Sequence, residues 1–195
     1  MEINKKQTKN HWNNTYVTGG NSGVGSYRKD LYEYKLNFIK KLIVNQNIKS
    51  VFDFGCGDGH QLSEIVVGRD VESYIGIDIS PYIIEENKKK YKDKIYYNLE
   101  EYEFDKKDTF DLVLCLDVLY HIMEENLFNQ TIGNLFKLSK KYVLIYAVDK
   151  DLLHSSTMHF RTFTNKIPNN YKLIETEKLP DNVVQTTFYL YEKIS

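Results

Sequence analysis

Cysteine is scarce in this chain of 195 residues, and net charge is almost absent. Two cysteines, Cys56 and Cys115, cannot build a disulfide framework, and their spacing matches no metal site. If the strands carrying them are neighbours, the two thiols can lie close together, and in a reducing compartment they should stay reduced. The balance of 26 Lys and Arg against 27 Asp and Glu leaves a formal charge of −1. No global basic field therefore draws the chain to nucleic acid or to a membrane surface. No apolar run is long enough to span a bilayer. The opening MEINKKQTKNHW lacks the apolar core of a signal peptide. These absences predict a cytoplasmic protein with neither a nucleic-acid nor a membrane partner. The segment GVGS at 23–26 lacks the Lys-Ser/Thr ending of a P-loop. No repeat, low-complexity tract or second domain is visible.

What is present reads as one α/β domain. Residues 27–46 carry Leu31, Tyr34, Phe38 and Leu42 on one helical face. An apolar strand at 49–54 runs into glycines at alternate positions, Gly55, Gly57 and Gly59, and a helix is expected at 60–67. A second strand, 72–78, ends in Asp78, and Ser80-Pro81 caps the next helix. A third strand at 94–97 and the nearly all-apolar 110–116 follow, the latter reading as a central parallel strand. A helix at 124–138, a strand at 141–148, a helical stretch near 162–167 and two closing strands at 171–177 and 185–191 complete the chain. The alternation predicts a doubly wound sheet whose last two strands form an antiparallel hairpin.

Strand, glycine turn and helix together are the layout of a nucleotide-type cofactor site. Glycine permits positive φ and close approach of a ligand, and a helix start offers free N–H groups to an anion. His60 stands where a dinucleotide fingerprint has its third glycine. Asp78 can accept hydrogen bonds from both ribose hydroxyls. Asp53 suits a cofactor with a free amine, because a buried carboxylate needs a cationic or hydrogen-bonding partner.

DFGCGDG at 53–59, followed by GID at 76–78 and FDLVLCLDVLYH at 110–121, resembles the motifs of class I S-adenosylmethionine-dependent methyltransferases. The resemblance implies a single Rossmann-like domain at 29–195, with a seven-stranded, mostly parallel sheet and an antiparallel C-terminal hairpin strand. Residues 1–28 would be an N-terminal lid or tail. Asp53 and the Gly55, Gly57 and Gly59 backbone would hold the methionine amine and carboxylate of S-adenosylmethionine. Asp78 would hold the ribose and Ile79 the adenine. Asn98, where the family often has an acid, and Leu99 would meet the adenine amine and ring. Cys56 and Leu116 complete the expected cofactor contacts, and S-adenosylhomocysteine would be the product.

On the acceptor side, Asp117, Tyr120 and His121 follow the fourth strand and should lie beside the glycine turn. Methyl transfer needs mainly positioning, and His121 is the residue type suited to act as base near neutral pH. Tyr16 and Tyr27, with Trp12, would give aromatic contacts from a lid. His159 and Arg161, in a polar loop at 154–163, would bind a phosphate or carboxylate on the acceptor. His154 and His159 lack a third ligand, so no metal site is expected. The D/N-P-P-Y/F motif of base-directed enzymes is missing. The whole chain is similar to small bacterial methyltransferases found among genes for surface glycans or secondary products. The expected reaction is transfer to an oxygen, or a nitrogen, of a small molecule or glycan precursor. The alternatives are a non-catalytic cofactor-binding scaffold or sensor, an NAD-dependent oxidoreductase, and an RNA or protein methyltransferase that binds its substrate with a partner. The sequence sets neither the acceptor nor the oligomeric state.

Overall fold

A computed structural model describes residues 5–104, 108–179 and 185–194. One seven-stranded sheet organises them, in the order β3-β2-β1-β4-β5-β9-β8. The strands are β1 (Ser50–Phe54), β2 (Ser73–Asp78), β3 (Ile95–Asn98), β4 (Phe110–Leu116), β5 (Ser139–Ala147), β8 (Tyr171–Glu177) and β9 (Thr187–Lys193). β1 to β5 are mutually parallel, and β9 runs against both β5 and β8. The expected sheet and its antiparallel C-terminal strand are both present. β6 (Leu152–Ser155) and β7 (Met158–Phe160) form a separate small hairpin where a polar loop was expected.

All seven residues of β4 are buried, as its apolar run requires of a central strand covered on both faces. Leu112, Leu114, Tyr142 and Leu144 pack on one face with Leu36, Ile39 and Leu42 of α3 (Lys29–Asn45). Val113, Cys115, Val143 and Ile145 pack on the other with Phe128, Ile132 and Leu135 of α5 (Glu125–Leu138). Each fully buried side chain of this size contributes about 1.5–3 kcal/mol relative to exposure. The two cysteines are separated by this layering. Cys56 belongs to the α3 side and Cys115 to the α5 side, so the expected proximity of the thiols is not realised.

α4 (Pro81–Lys90) starts as predicted, with Ser80 accepting from the Ile83 N–H. The helix expected at 60–67 does not form. Ser63 and Ile65 make only single-turn bonds to His60 and Leu62. The Val66 and Val67 N–H groups donate instead to the carboxylates of Asp70 and Asp93. Leu62 and Ile65 are nonetheless buried, so the apolar spacing reported burial and not helix. The helical stretch near 162–167 is a single turn, Thr164–Lys166. The N-terminal segment holds α1 (Lys5–Val17) and the short α2 (Val24–Tyr27). No helix among the described residues is long and apolar enough to cross a membrane.

Tyr171, on the edge strand β8, is buried, and its hydroxyl reaches the carbonyls of Phe136 (3.1 Å) and Ser139 (2.9 Å) at the α5–β5 junction. Tyr171→Phe should lower stability by about 1–2 kcal/mol in urea unfolding. An unchanged midpoint would remove this bond from the account.

Candidate functional site

A cleft enclosing about 860 Å³, mouth included, opens along the carboxyl ends of β1, β2 and β4. This is where an open α/β sheet binds ligands. Of the predicted cofactor residues, Asp53, Gly55, Cys56, Gly57, Asp78, Ile79, Leu99 and Leu116 line it. Of the predicted acceptor residues, Asp117, His121 and Tyr16 do so, as does Trp12.

The glycine turn is held from both sides. Asp78 accepts from the Gly57 N–H (3.0 Å) through one oxygen and from the Ser80 N–H (2.8 Å) through the other. Each oxygen keeps lone-pair capacity for a ligand hydroxyl. Burial raises the Asp78 carboxyl to about 6. Asp53 accepts from the Tyr74 hydroxyl at 2.7 Å, and burial raises it to about 7, opposed by that hydrogen bond. Other amides of the turn are also engaged. Gly55 and Cys56 donate to the Ile77 carbonyl, Asp58 to the Ser22 hydroxyl, Gly59 to the Cys56 carbonyl and His60 to the Asp58 carboxylate. The expected capture of a carboxylate by this backbone, or by a following helix, is not what the structure provides.

Gly57 has φ +53°, and a Cβ there would lie 2.3 Å from the Ser22 hydroxyl. The glycine thus admits the N-terminal segment. That segment lies across the cleft. Ser22 N–H and the Tyr27 hydroxyl both donate to Asp58 at 3.0 Å. Thr8 donates its hydroxyl to Glu124 at 2.6 Å, and the Ser80 hydroxyl donates to Asn13. Tyr16 is buried with its hydroxyl 3.2 Å from Ser22, and burial raises its hydroxyl well above its ordinary value.

Past β4, Asp117 takes a left-handed φ of +59°, a strained conformation for a residue other than glycine. Its oxygens accept from the Tyr120 hydroxyl and the Lys35 ammonium, each at 2.5 Å. Lys35 is completely buried. It stands in the row Leu31, Lys35, Phe38, Leu42, so a lysine at a core position was its sequence signal. His121 packs edge-on to Trp12 at 4.9 Å, and its Nδ1 faces the Thr157 carbonyl at 3.3 Å. A carbonyl can only accept, so Nδ1 carries the proton and Nε2 keeps its lone pair. Burial holds the imidazole pKa below its usual value.

Other predicted residues are placed elsewhere. Gly59 leaves room for the Tyr91 ring, which its Cβ would meet at 2.6 Å. Asn98 donates to the Asp78 and Ile79 carbonyls and accepts from the Glu100 N–H, so its amide braces loops. Tyr120 is outside the cleft lining and touches it through its bond to Asp117 and its ring contact with His121 at 4.6 Å. Tyr27 stacks on His60 at 4.3 Å, outside the cleft lining. Arg161 donates to the Ile122 and Met123 carbonyls, which replaces the expected anion contact. His159 lies on β7, outside the cleft lining. Sequence reasoning missed Lys35, the clasp residue Asp58, and two buried cleft groups without hydrogen-bond partners among the described residues, Gln61 Oε1 and the Thr131 hydroxyl.

Residues 52–141 match the family described as a methyltransferase domain. Residues 52–141 thus carry a methyltransferase domain. Its fold is similar to magnesium protoporphyrin IX methyltransferase from Synechocystis, solved with bound S-adenosylhomocysteine, at TM-score 0.72 and 16% identity over 97% of this chain and 100% of that one. It is also similar to an N-methyltransferase from Bradyrhizobium japonicum in complex with S-adenosylhomocysteine, at TM-score 0.68 and 12% identity, covering 95% and 98%. A small RNA 2′-O-methyltransferase of Mus musculus is 25% identical over 132 residues, 57% of this chain and 33% of that protein. The chain thus spans about a third of that curated relative's length.

Asp58→Ala should release the N-terminal segment while leaving the sheet intact. Limited proteolysis within 18–28 should run about tenfold faster, with the urea midpoint little changed. Cleavage at the wild-type rate would show that Asp58 does not hold the segment.

Proposed function

We propose that this methyltransferase uses S-adenosylmethionine to methylate an oxygen of a small molecule or glycan precursor, with the N-terminal segment serving as the lid. The observation that carries the donor is the buried pair of Asp53 and Asp78 at the ends of β1 and β2. When bound, the donor supplies an electrophilic methyl group and its own leaving group. Asp78 offers its remaining lone pairs to the ribose hydroxyls. Ile79 and Leu99 offer apolar surface to the adenine. Asp53 offers a carboxylate to the ammonium.

An oxygen acceptor must lose a proton as the new bond forms. His121 suits that task, because its Nδ1 proton is held by Thr157 and its depressed pKa leaves Nε2 unprotonated near neutral pH. Asp117 suits it less, because both of its oxygens are already engaged by Lys35 and Tyr120.

A ribose hydroxyl of RNA is the second reading, favoured by the match to the murine small RNA enzyme. A panel of sugars, phenols, amines and a single-stranded RNA, incubated with methyl-labelled donor, separates the readings. Label in sugars or phenols supports the first and label in RNA the second. Label confined to amines overturns the oxygen assignment.

The donor site carries its own pH signature. Asp53 is raised to about 7, so lowering the pH neutralises the carboxylate that pairs with the ligand ammonium. Affinity for S-adenosylhomocysteine should therefore fall by about tenfold from pH 8 to pH 6. Asp53→Asn should bind more weakly and lose most of this slope. A wild-type affinity independent of pH would remove Asp53 from the ammonium site.

A further inference from the structure

Gln61 follows the glycine turn, with the residue 7% exposed, and it lines the cleft. Its Nε2 donates to the Tyr32 carbonyl of α3 at 3.2 Å. That partner can only accept, so the orientation of the amide is determined and Oε1 is the free end. Oε1 is buried and has no hydrogen-bond partner among the described residues. A buried amide oxygen left unbonded costs about 1–3 kcal/mol, so the position calls for a donor from a ligand.

The surroundings say what kind of donor. The Asp53 carboxylate lines the same cleft. The turn's N–H groups from Gly55 to His60 are all spent within the protein, as set out above. Lys35 lies one turn along α3 from Tyr32 and is engaged by Asp117. The turn therefore leaves the acceptors Asp53 and Gln61 Oε1 without a free backbone donor beside them. The pair fits a group that only donates and carries positive charge. A neutral hydroxyl would leave one acceptor unmatched, and a carboxylate would be repelled by Asp53.

We propose that Gln61 is a ligand for the α-ammonium of the donor, sharing it with Asp53, and selects cofactors that carry a free amine. The inference rests on the donor reading above. In the wild type, S-adenosylhomocysteine should bind about 10- to 100-fold more tightly than its deaminated analogue, the range expected for hydrogen bonds to a charged group. Gln61→Met keeps the side-chain length and removes the acceptor. It should weaken S-adenosylhomocysteine by about tenfold. It should leave the affinity for 5′-methylthioadenosine, which lacks the amino-acid end, within about twofold.

Calorimetry with the three ligands reads each outcome. Equal weakening of S-adenosylhomocysteine and 5′-methylthioadenosine by Gln61→Met would show a structural role and overturn the proposal. So would unchanged affinity for S-adenosylhomocysteine. If the variant does not fold, the wild-type comparison still decides, since equal affinity for the amine and its deaminated analogue overturns ammonium recognition. Wild-type protein that binds none of the three ligands would instead bring down the donor reading, and this inference with it.

Discussion

The amide N–H groups of the turn from Gly55 to His60 are bonded inside the protein, and this constraint shapes the rest of the site. Asp78 takes the Gly57 N–H, so the end of β2 is tied to the turn after β1. Ser22 takes the Asp58 N–H and Asp58 takes the Ser22 N–H, so the N-terminal segment is tied to the same turn from above. The turn thereby offers the cleft no free N–H group, and the carboxylates of Asp53 and Asp78 line the cleft beside it. The site is thus lined by acceptors where sequence pattern suggested an anion hole.

Electrostatics follow from that arrangement. Asp53, Asp78 and Asp117 share one cleft, and Lys35 on α3 is the buried cation beside them. Lys35 lowers the Asp53 carboxyl electrostatically, yet burial dominates and leaves it raised. An ionised carboxylate without a partner in a buried site is unfavourable. A cationic ligand offsets that cost, so the arrangement favours a positively charged donor over a dinucleotide whose phosphates carry the opposite sign.

Much of the sheet was legible because continuous apolar runs such as FDLVLCL have one stable place in an α/β sheet, buried on both faces. Asp53 and Asp78 were legible because the carboxyl ends of neighbouring parallel strands must converge. The segment 60–67 was misread because Leu62 and Ile65 are buried whether or not the backbone is helical. Side-chain roles set by tertiary contacts were not legible. Asn98 and Arg161 are chemically able to meet a ligand, but they are spent on backbone carbonyls that no local pattern identifies. Lys35 was visible as a charge in an apolar row. Gln61 had no signal beyond its place after the turn.

The central claim is that this acceptor-lined cleft holds S-adenosylmethionine and its product. Parallel titrations of the purified chain with S-adenosylhomocysteine and with NADH test it most directly. The account predicts saturable binding of S-adenosylhomocysteine with a Kd on the order of micromolar, about −8 kcal/mol, and no saturable binding of NADH. Absence of S-adenosylhomocysteine binding at millimolar ligand, or tighter binding of NADH, would contradict it.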